Sequence, residues 1–354
     1  MTKSSLRRRS AGSAVGVAAA VGLLVVLTGS NGQAEPPGHS NGHGHGDVVA
    51  HPWIHGILGA PAEGAAAPVP EGPAFTPEGN LVFVSAFGDA EGNKVYEVDV
   101  DTKEVTPIYN DASSVIASLD IDEEGRFVMS DFLNPTIGAG RILRMNPDGT
   151  GVETLIADFE GTKIYPDDVV MDGKGGFFYT DMQGNILEPT GRVIHVDAVG
   201  TQTLVTGGLA HPNGVALSPD GRRLWVSEHL ANRLLALDLD ETGIAINDWA
   251  PGAGVSVYAN LSGGLADSLT VDADGNVYQA MYFGGRVEVF DKAGNPVTTV
   301  EPAGGDGPTR FPTTTNVAIR PGTNDGYITA GGPEGISILM FEAEAEALPQ
   351  VWQE

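Results

Sequence analysis

The chain has 354 residues, 41% hydrophobic and 18% charged, with 49 glycines, 23 prolines and no cysteine, which rules out disulfide stapling and thiol catalysis. Abundant glycine without a collagen period favours a turn-rich, all-β protein over a helical one. A formal net charge of −27 argues against nucleic acid and anionic lipid surfaces as partners and leaves hard cations as plausible guests.

Residues 1–34 read as an export signal. Lys3 and Arg7 to Arg9 form a basic start, Ala14 to Leu27 is apolar but short for a membrane span, and Gly32-Gln33-Ala34 offers a cleavage site before Glu35. The consecutive arginines allow either the general or the twin-arginine route. Removing those four basic residues takes the net charge from −27 to −31. The expectation is a secreted or cell-surface monomer without stable membrane association. Residues 35–58 hold five of the eight histidines among Pro, Gly, Ser and Asn, and read as a flexible linker. A metal-collecting tail is the alternative.

The body, residues 59–346, is a repeat. A Gly-centred turn followed by an apolar strand recurs as Thr76-Pro-Glu-Gly79, Asp122-Glu-Glu-Gly125, Asp172-Gly-Lys-Gly175, Ser218-Pro-Asp-Gly221 and Asp272-Ala-Asp-Gly275. A degenerate sixth copy begins at Arg320. The five glycines are 46, 50, 46 and 54 residues apart. A second pattern runs in phase: Asn93-Lys-Val-Tyr, Gly140-Arg-Ile-Leu, Gly191-Arg-Val-Ile, Asn232-Arg-Leu-Leu, Gly285-Arg-Val-Glu and Gly335-Ile-Ser-Ile. Short strands at this period predict a six-bladed β-propeller of four-stranded antiparallel blades, and no helical periodicity of 10–15 residues interrupts them. Residues 347–354 remain as a C-terminal tail.

The segment entering each turn is expected to be the innermost strand of its blade. Counting back five residues from each pattern start gives Glu71, Ala117, Asp167, Asn213, Asp267 and Thr315. Four of these are carboxylate or amide oxygen donors, and Ser268 adds a hydroxyl. A polar or anionic ring in a narrow channel is costly unless paired, and a cation removes the cost. An all-oxygen set favours Ca²⁺, admits Mg²⁺ or Mn²⁺, and suits Zn²⁺ least. His211, before Pro212-Asn213, is a candidate substrate contact. Trp225, Tyr179 and Tyr278 read as blade packing. The Asp120-to-Gly125 segment is a copy of the repeated turn rather than a calcium loop. No Gly-x-Ser-x-Gly elbow, Walker loop or His-Glu-x-x-His motif occurs.

Glu71-Gly-Pro, Pro166-Asp-Asp-Val-Val-Met-Asp172, Pro212-Asn-Gly-Val-Ala-Leu-Ser-Pro-Asp-Gly221 and Asp267-Ser-Leu-Thr-Val-Asp-Ala-Asp-Gly275 resemble the SMP-30/gluconolactonase superfamily. Phe177-Phe-Tyr-Thr-Asp181, Leu224 to Arg233 and Ala280 to Val287 are similar to its drug-responsive lactonase branch. The resemblance implies a calcium held by Glu71, Asp167, Asn213 and Asp267, with Ser268 nearby and Asp267 as catalytic acid/base. It also implies a second, structural calcium, for which Asp158 and Thr162 are candidates. Asp167 stands where gluconolactonases usually carry Asn, which favours the lactonase branch.

The expected chemistry is hydrolysis of a small lactone or ester, with the cation polarising the carbonyl and Asp267 and Asp167 serving the attacking water. The competing reading is a non-catalytic exported propeller with a structural cation. A third, a metal-dependent lyase, lacks the histidine-rich site it needs.

Overall fold

The computed structural model describes residues 47–63, 67–134, 136–243 and 255–353; the expected export signal lies outside them. The repeated turns reverse the chain as their sequence requires, with Gly79, Gly125, Gly175, Gly221 and Gly275 all at positive φ. Their aspartates hold the turns from within. Asp122 Oδ1 accepts the N–H groups of Glu124 and Arg126, and Asp172 Oδ1 those of Lys174 and Gly176.

Between the turns the described residues form 24 strands. β1 is Val48–Ile57. β2–β5 are Pro70–Phe75, Leu81–Ser85, Asn93–Val98 and Val105–Asn110. β6–β9 are Val115–Ile121, Phe127–Asn134, Ala139–Met145 and Glu153–Ile156. β10–β13 are Pro166–Met171, Phe177–Asp181, Gly191–Val196 and Gln202–Leu209. β14–β17 are Pro212–Leu217, Arg223–Glu228, Arg233–Asp238 and Val255–Asn260. β18–β21 are Leu265–Val271, Val277–Tyr282, Arg286–Phe290 and Pro296–Pro302, and β22–β24 are Thr313–Ile319, Asp325–Gly332 and Gly335–Glu342. Among the described residues, helix is confined to a four-residue turn, Gly307–Arg310, and a 3-10 turn, Val351–Gln353.

The fold is an all-β propeller. β2–β5, β6–β9, β10–β13 and β14–β17 are separate four-stranded antiparallel sheets, and the remaining strands join in one eight-stranded sheet ordered β18-β19-β20-β21-β1-β24-β23-β22. The first strands stand next to one another in a closed ring, β2-β6-β10-β14-β18-β22 and back to β2. Apolar clusters fill the spaces between neighbouring groups. Val82, Val84 and Val95 pack on Ile116, Leu119 and Met129, while Phe75, Leu81 and Phe83 meet Tyr327, Ile336 and Ile338 where the ring closes. Trp225, Tyr179 and Tyr278 are buried in such clusters, as packing residues should be.

Two expectations need correction. The linker assigned to residues 35–58 is not all linker, because Val48–Ile57 enters the sheet: Val48 to Ala50 pair parallel with β21, and His51 to Ile57 pair antiparallel with β24. That parallel pairing is the exception to the antiparallel pattern. Trp53 edges Tyr327, and His55 bonds Ser337 and Glu334, so the residues that read as polar filler are anchored by distant partners. The segment after residue 346 is likewise not a loose tail. Ala347 bridges to Asp272, and Leu348, Val351 and Trp352 each pack on a different apolar cluster.

The basic residue of the second pattern has a repeated task. Arg141 Nε reaches Asp131 at 2.7 Å, Arg192 Nε reaches Asp181 at 2.8 Å, and Arg233 Nε reaches Glu228 at 2.8 Å. Each pair ties the end of a second strand to the start of the third, and all three carboxylates are buried. Because Asp181 is fully buried, Arg192→Ala leaves a charge stranded and is expected to cost about 3 kcal/mol. Arg223→Ala, which breaks an exposed pair with Asp238, should cost less than about 1 kcal/mol. Urea denaturation of the two variants checks the contrast.

Candidate metal centre

Each inner strand carries a register shift at or beside the position counted from the repeat. The shifts fall between Glu71 and Ala74, Ile116 and Ser118, Pro166 and Val169, Pro212 and Val215, Ala266 and Leu269, and Thr314 and Asn316. A bulge breaks the strict alternation of side chains and re-aims them. Here it falls at the mouth of the ring, where the inner strands begin.

Glu71, Asn213, Asp267 and Ser268 are buried there, and Asp167 is partly exposed. Burial, then repulsion from Asp267, Asp167 and Asp168, holds the Glu71 carboxyl well above its usual range. Asp267 is raised by burial and by Asp167, against an opposing hydrogen bond from Asn213. Asp167 is raised by burial and by Asp168. The sequence-predicted carboxylates are therefore within one another's field. Ser268 Oγ lies 3.4 Å from Asn213 Oδ1. Ala117 contributes no polar group, and Thr315 Oγ1 is turned to the carbonyl of Pro70.

Asp168 is the residue that one position per blade could not reveal. It is buried, with Oδ1 accepting from Ser118 Oγ at 2.5 Å and from its own successor's N–H, and Oδ2 accepting from Val215 N–H at 3.1 Å. Burial pushes it up to about 6. The only advance signal is the Asp167-Asp168 doublet itself.

Backbone supports fix the ligand strands. Gln279 Nε2 donates to the carbonyls of Asp267 at 2.8 Å and Ser268 at 3.3 Å, and Thr180 Oγ1 donates to the carbonyl of Asn213 at 2.5 Å. Gly214 lets β14 and β18 approach, since a Cβ there would stand 2.6 Å from Ser268 Cα.

Among the described residues, no three His, Asp or Glu side chains are grouped tightly enough to ligate a metal as they stand. The donor chemistry nevertheless fits a hard cation. All the donors are oxygens, three are carboxylates destabilised by burial and each other, and Glu71 Oε2 is buried without a hydrogen-bond partner.

Asp158 and Thr162 lie in an exposed hairpin closed by the Phe159–Thr162 bridge, with Asp158 Oδ1 taken by Gly161 N–H. His211 adopts a left-handed backbone, φ +57°, and its Nδ1 is buried without a partner. Tyr282 walls the mouth with Val69 and Ala86, its hydroxyl raised by burial, Asp267 and Glu71. A cavity of about 780 Å³ opens at the other end of the inner strands, lined by Asp120, Val170 and Thr270 and floored by Ala347 to Val351.

Residues 69–330 match the family model described as SMP-30/Gluconolactonase/LRE-like region. A protein named lactonase drp35 from Staphylococcus saprophyticus is 33% identical over 88% of this chain and 91% of its own. The chain belongs to the SMP-30/gluconolactonase/LRE-like family. Solved folds agree with that membership. A gluconolactonase from Xanthomonas campestris superposes with a TM-score of 0.62 at 22% identity, covering 84% of this chain and 98% of its own. Regucalcin from Agrobacterium tumefaciens, described as a calcium-binding protein, gives 0.61 at 20% identity, covering 80% and 97%.

Two outcomes are expected of this family member's centre. Carboxyls whose folded-state pKa is raised contribute stability below the ordinary carboxylate range and lose it as pH rises through the elevated values. In EDTA, thermal stability should therefore fall as pH rises above about 4.5, and saturating Ca²⁺ should abolish the fall; scanning calorimetry across pH reads both. Gly214→Ala should lower stability by about 1–3 kcal/mol through overpacking and weaken divalent-ion binding in titration calorimetry.

Proposed function

We propose that this protein is an exported, calcium-dependent hydrolase that opens a small lactone. The observation that carries the reading is that Glu71, Asp167 and Asp267 lie in one another's field at the channel mouth, with Asn213 against Asp267 and one Glu71 oxygen unpartnered. We read the eight-stranded sheet as two blades joined through β1, which makes a six-bladed propeller with the centre on its axis. The lactonase and gluconolactonase names of its relatives, and the calcium-binding description of a structural neighbour, support the substrate and the ion.

Glu71, Asp167, Asn213 and Asp267 would hold the cation, with Ser268 beside them. When bound, the cation supplies Lewis acidity toward the lactone carbonyl. Asp267 accepts a proton from the attacking water and returns it to the ring oxygen as the ester bond breaks. Asp167, partly exposed, orients that water from the mouth side. Gln279 and Thr180 keep the two ligand strands in place through backbone carbonyls.

The loops around the mouth favour a substrate with an apolar body. Phe87, Ile137, Ile186, Leu187 and Phe283 are exposed on loops between second and third strands, the end at which the inner strands begin. A polyol lactone would gain little from such a rim.

Asp267→Asn keeps an oxygen for the cation and removes the proton acceptor, so kcat at saturating Ca²⁺ should fall about 10²–10⁴-fold with the fold intact. Asn213→Ala should weaken ion affinity first and be partly rescued by added Ca²⁺. Steady-state kinetics on a lactone panel, with and without EDTA, reads both. A wild type that hydrolyses no lactone or ester in saturating ion would make this a binding propeller with a structural cation.

A further inference from the structure

The chain before β14 and the chain after β15 meet at the mouth, and His229 is the knot between them. Its backbone N–H donates to the carbonyl of His211 at 2.9 Å, and its ring Nδ1 lies 2.7 Å from the carbonyl of Ala266, the residue before Asp267. A carbonyl oxygen only accepts, so Nδ1 carries the proton and Nε2 keeps a lone pair. Among the described residues no group hydrogen-bonds Nε2, and it is not among the buried orphan atoms, so it is not fully enclosed. The ring stands 6.1 Å from that of Tyr282, whose hydroxyl lies in the field of Asp267 and Glu71. Tyr282 thus neighbours the imidazole on one side and feels the carboxylates on the other. Burial pushes His229 down to about 4, so it stays neutral through the ordinary pH range. His211 offers no such group, because its Nδ1 is enclosed and its ring is engaged by the backbone of Gly184.

We propose that His229 Nε2 is a fixed hydrogen-bond acceptor for the substrate and selects lactones bearing a donor, an amide N–H or a hydroxyl, on the ring carbon next to the carbonyl. The inference rests on the lactonase reading and names the substrate class of that site. The position of the donor follows from the anchor. Nδ1 is held one residue from Asp267, so Nε2 reaches the part of the substrate that adjoins the reacting carbonyl. An acyl chain on the donor would then extend toward the apolar rim. A site built to accept a hydrogen bond discriminates against the analogue that cannot donate one.

The test uses two non-hydrolysable γ-lactams of matched length, α-hexanoylamino-γ-butyrolactam and α-heptyl-γ-butyrolactam, titrated calorimetrically into the full-length protein in saturating Ca²⁺. The corresponding lactones are assayed in parallel. Wild type should bind the amide-bearing lactam about 3- to 10-fold more tightly, the range of one neutral hydrogen bond, and show the preference in KM more than in kcat. His229→Asn retains an amide donor for Ala266 but leaves its own acceptor, Oδ1, set back from the place of Nε2, and His229→Phe removes both donor and acceptor; in each the preference should shrink below about twofold. His229→Asn keeps the test readable if the larger change unfolds the loop, which circular dichroism reports. Equal binding of the two lactams by wild type, failure to bind either, or a preference that survives both variants overturns the proposal. A lactam preference lost in the variants, with neither lactone hydrolysed by wild type, upholds the acceptor and sinks the hydrolase reading instead.

Discussion

Everything in this molecule depends on how the inner strands satisfy an edge that has no sheet partner. Each first strand bonds its second strand on one side and faces the axis on the other, where its N–H and C=O groups need partners. The structure supplies them from the next strand group. Asp120 accepts the N–H of Met171, Asp168 accepts the N–H of Val215, and Thr315 donates to the carbonyl of Pro70. A polar channel is therefore a requirement of closing the ring, before any function is considered.

That requirement separates two kinds of carboxylate. Asp120 and Asp168 have both oxygens engaged by backbone or hydroxyl donors and are pushed up by burial only to about 6. They are stitches between neighbouring strand groups. Glu71, Asp167 and Asp267 have fewer donors and are raised by burial and by neighbouring carboxylates, and Glu71 Oε2 is left without any partner. An unpaired buried acceptor has no structural use, and natural folds keep few of them. On the proposed reading it is the second set that would hold a cation.

How much of this was legible in the chain follows from the range of each interaction. The turns are local, an Asp or Pro and a Gly within four residues, so their period exposed the propeller and the position of each inner strand. Glu71, Asp167, Asn213 and Asp267 were picked out with it as inner-strand positions, because a repeat offset converts sequence position into place in the blade. β1 was not legible, since Val48 pairs with Val300 and its apolar residues, interrupted by His51, Pro52, His55 and Gly56, carry no strand alternation. Arg192 and Asp181 both recur in the repeat, yet their pairing needs the hairpin register that joins β11 to β12. Asp168 was hidden by the bulge, which allows two consecutive residues to serve the axis where a regular strand would turn one away. His229 lies outside both repeated patterns, and only the meeting of two loops shows which of its nitrogens is free.

The same geometry bears on how one residue could serve as both ligand and proton acceptor. A cation lowers the pKa of a carboxylate it touches, which weakens that group as an acid. Burial and repulsion by Asp167 act on Asp267 in the opposite direction, and they do so through the bulge that brings the carboxylates together. On the proposed reading the two influences would oppose one another at Asp267. The hydrogen bond from Asn213 and the grip of Gln279 on the Asp267 carbonyl limit how far the side chain can move to escape either influence. Under the proposed mechanism, repulsion that destabilises an empty channel would act on Asp267 against the pull of a held cation.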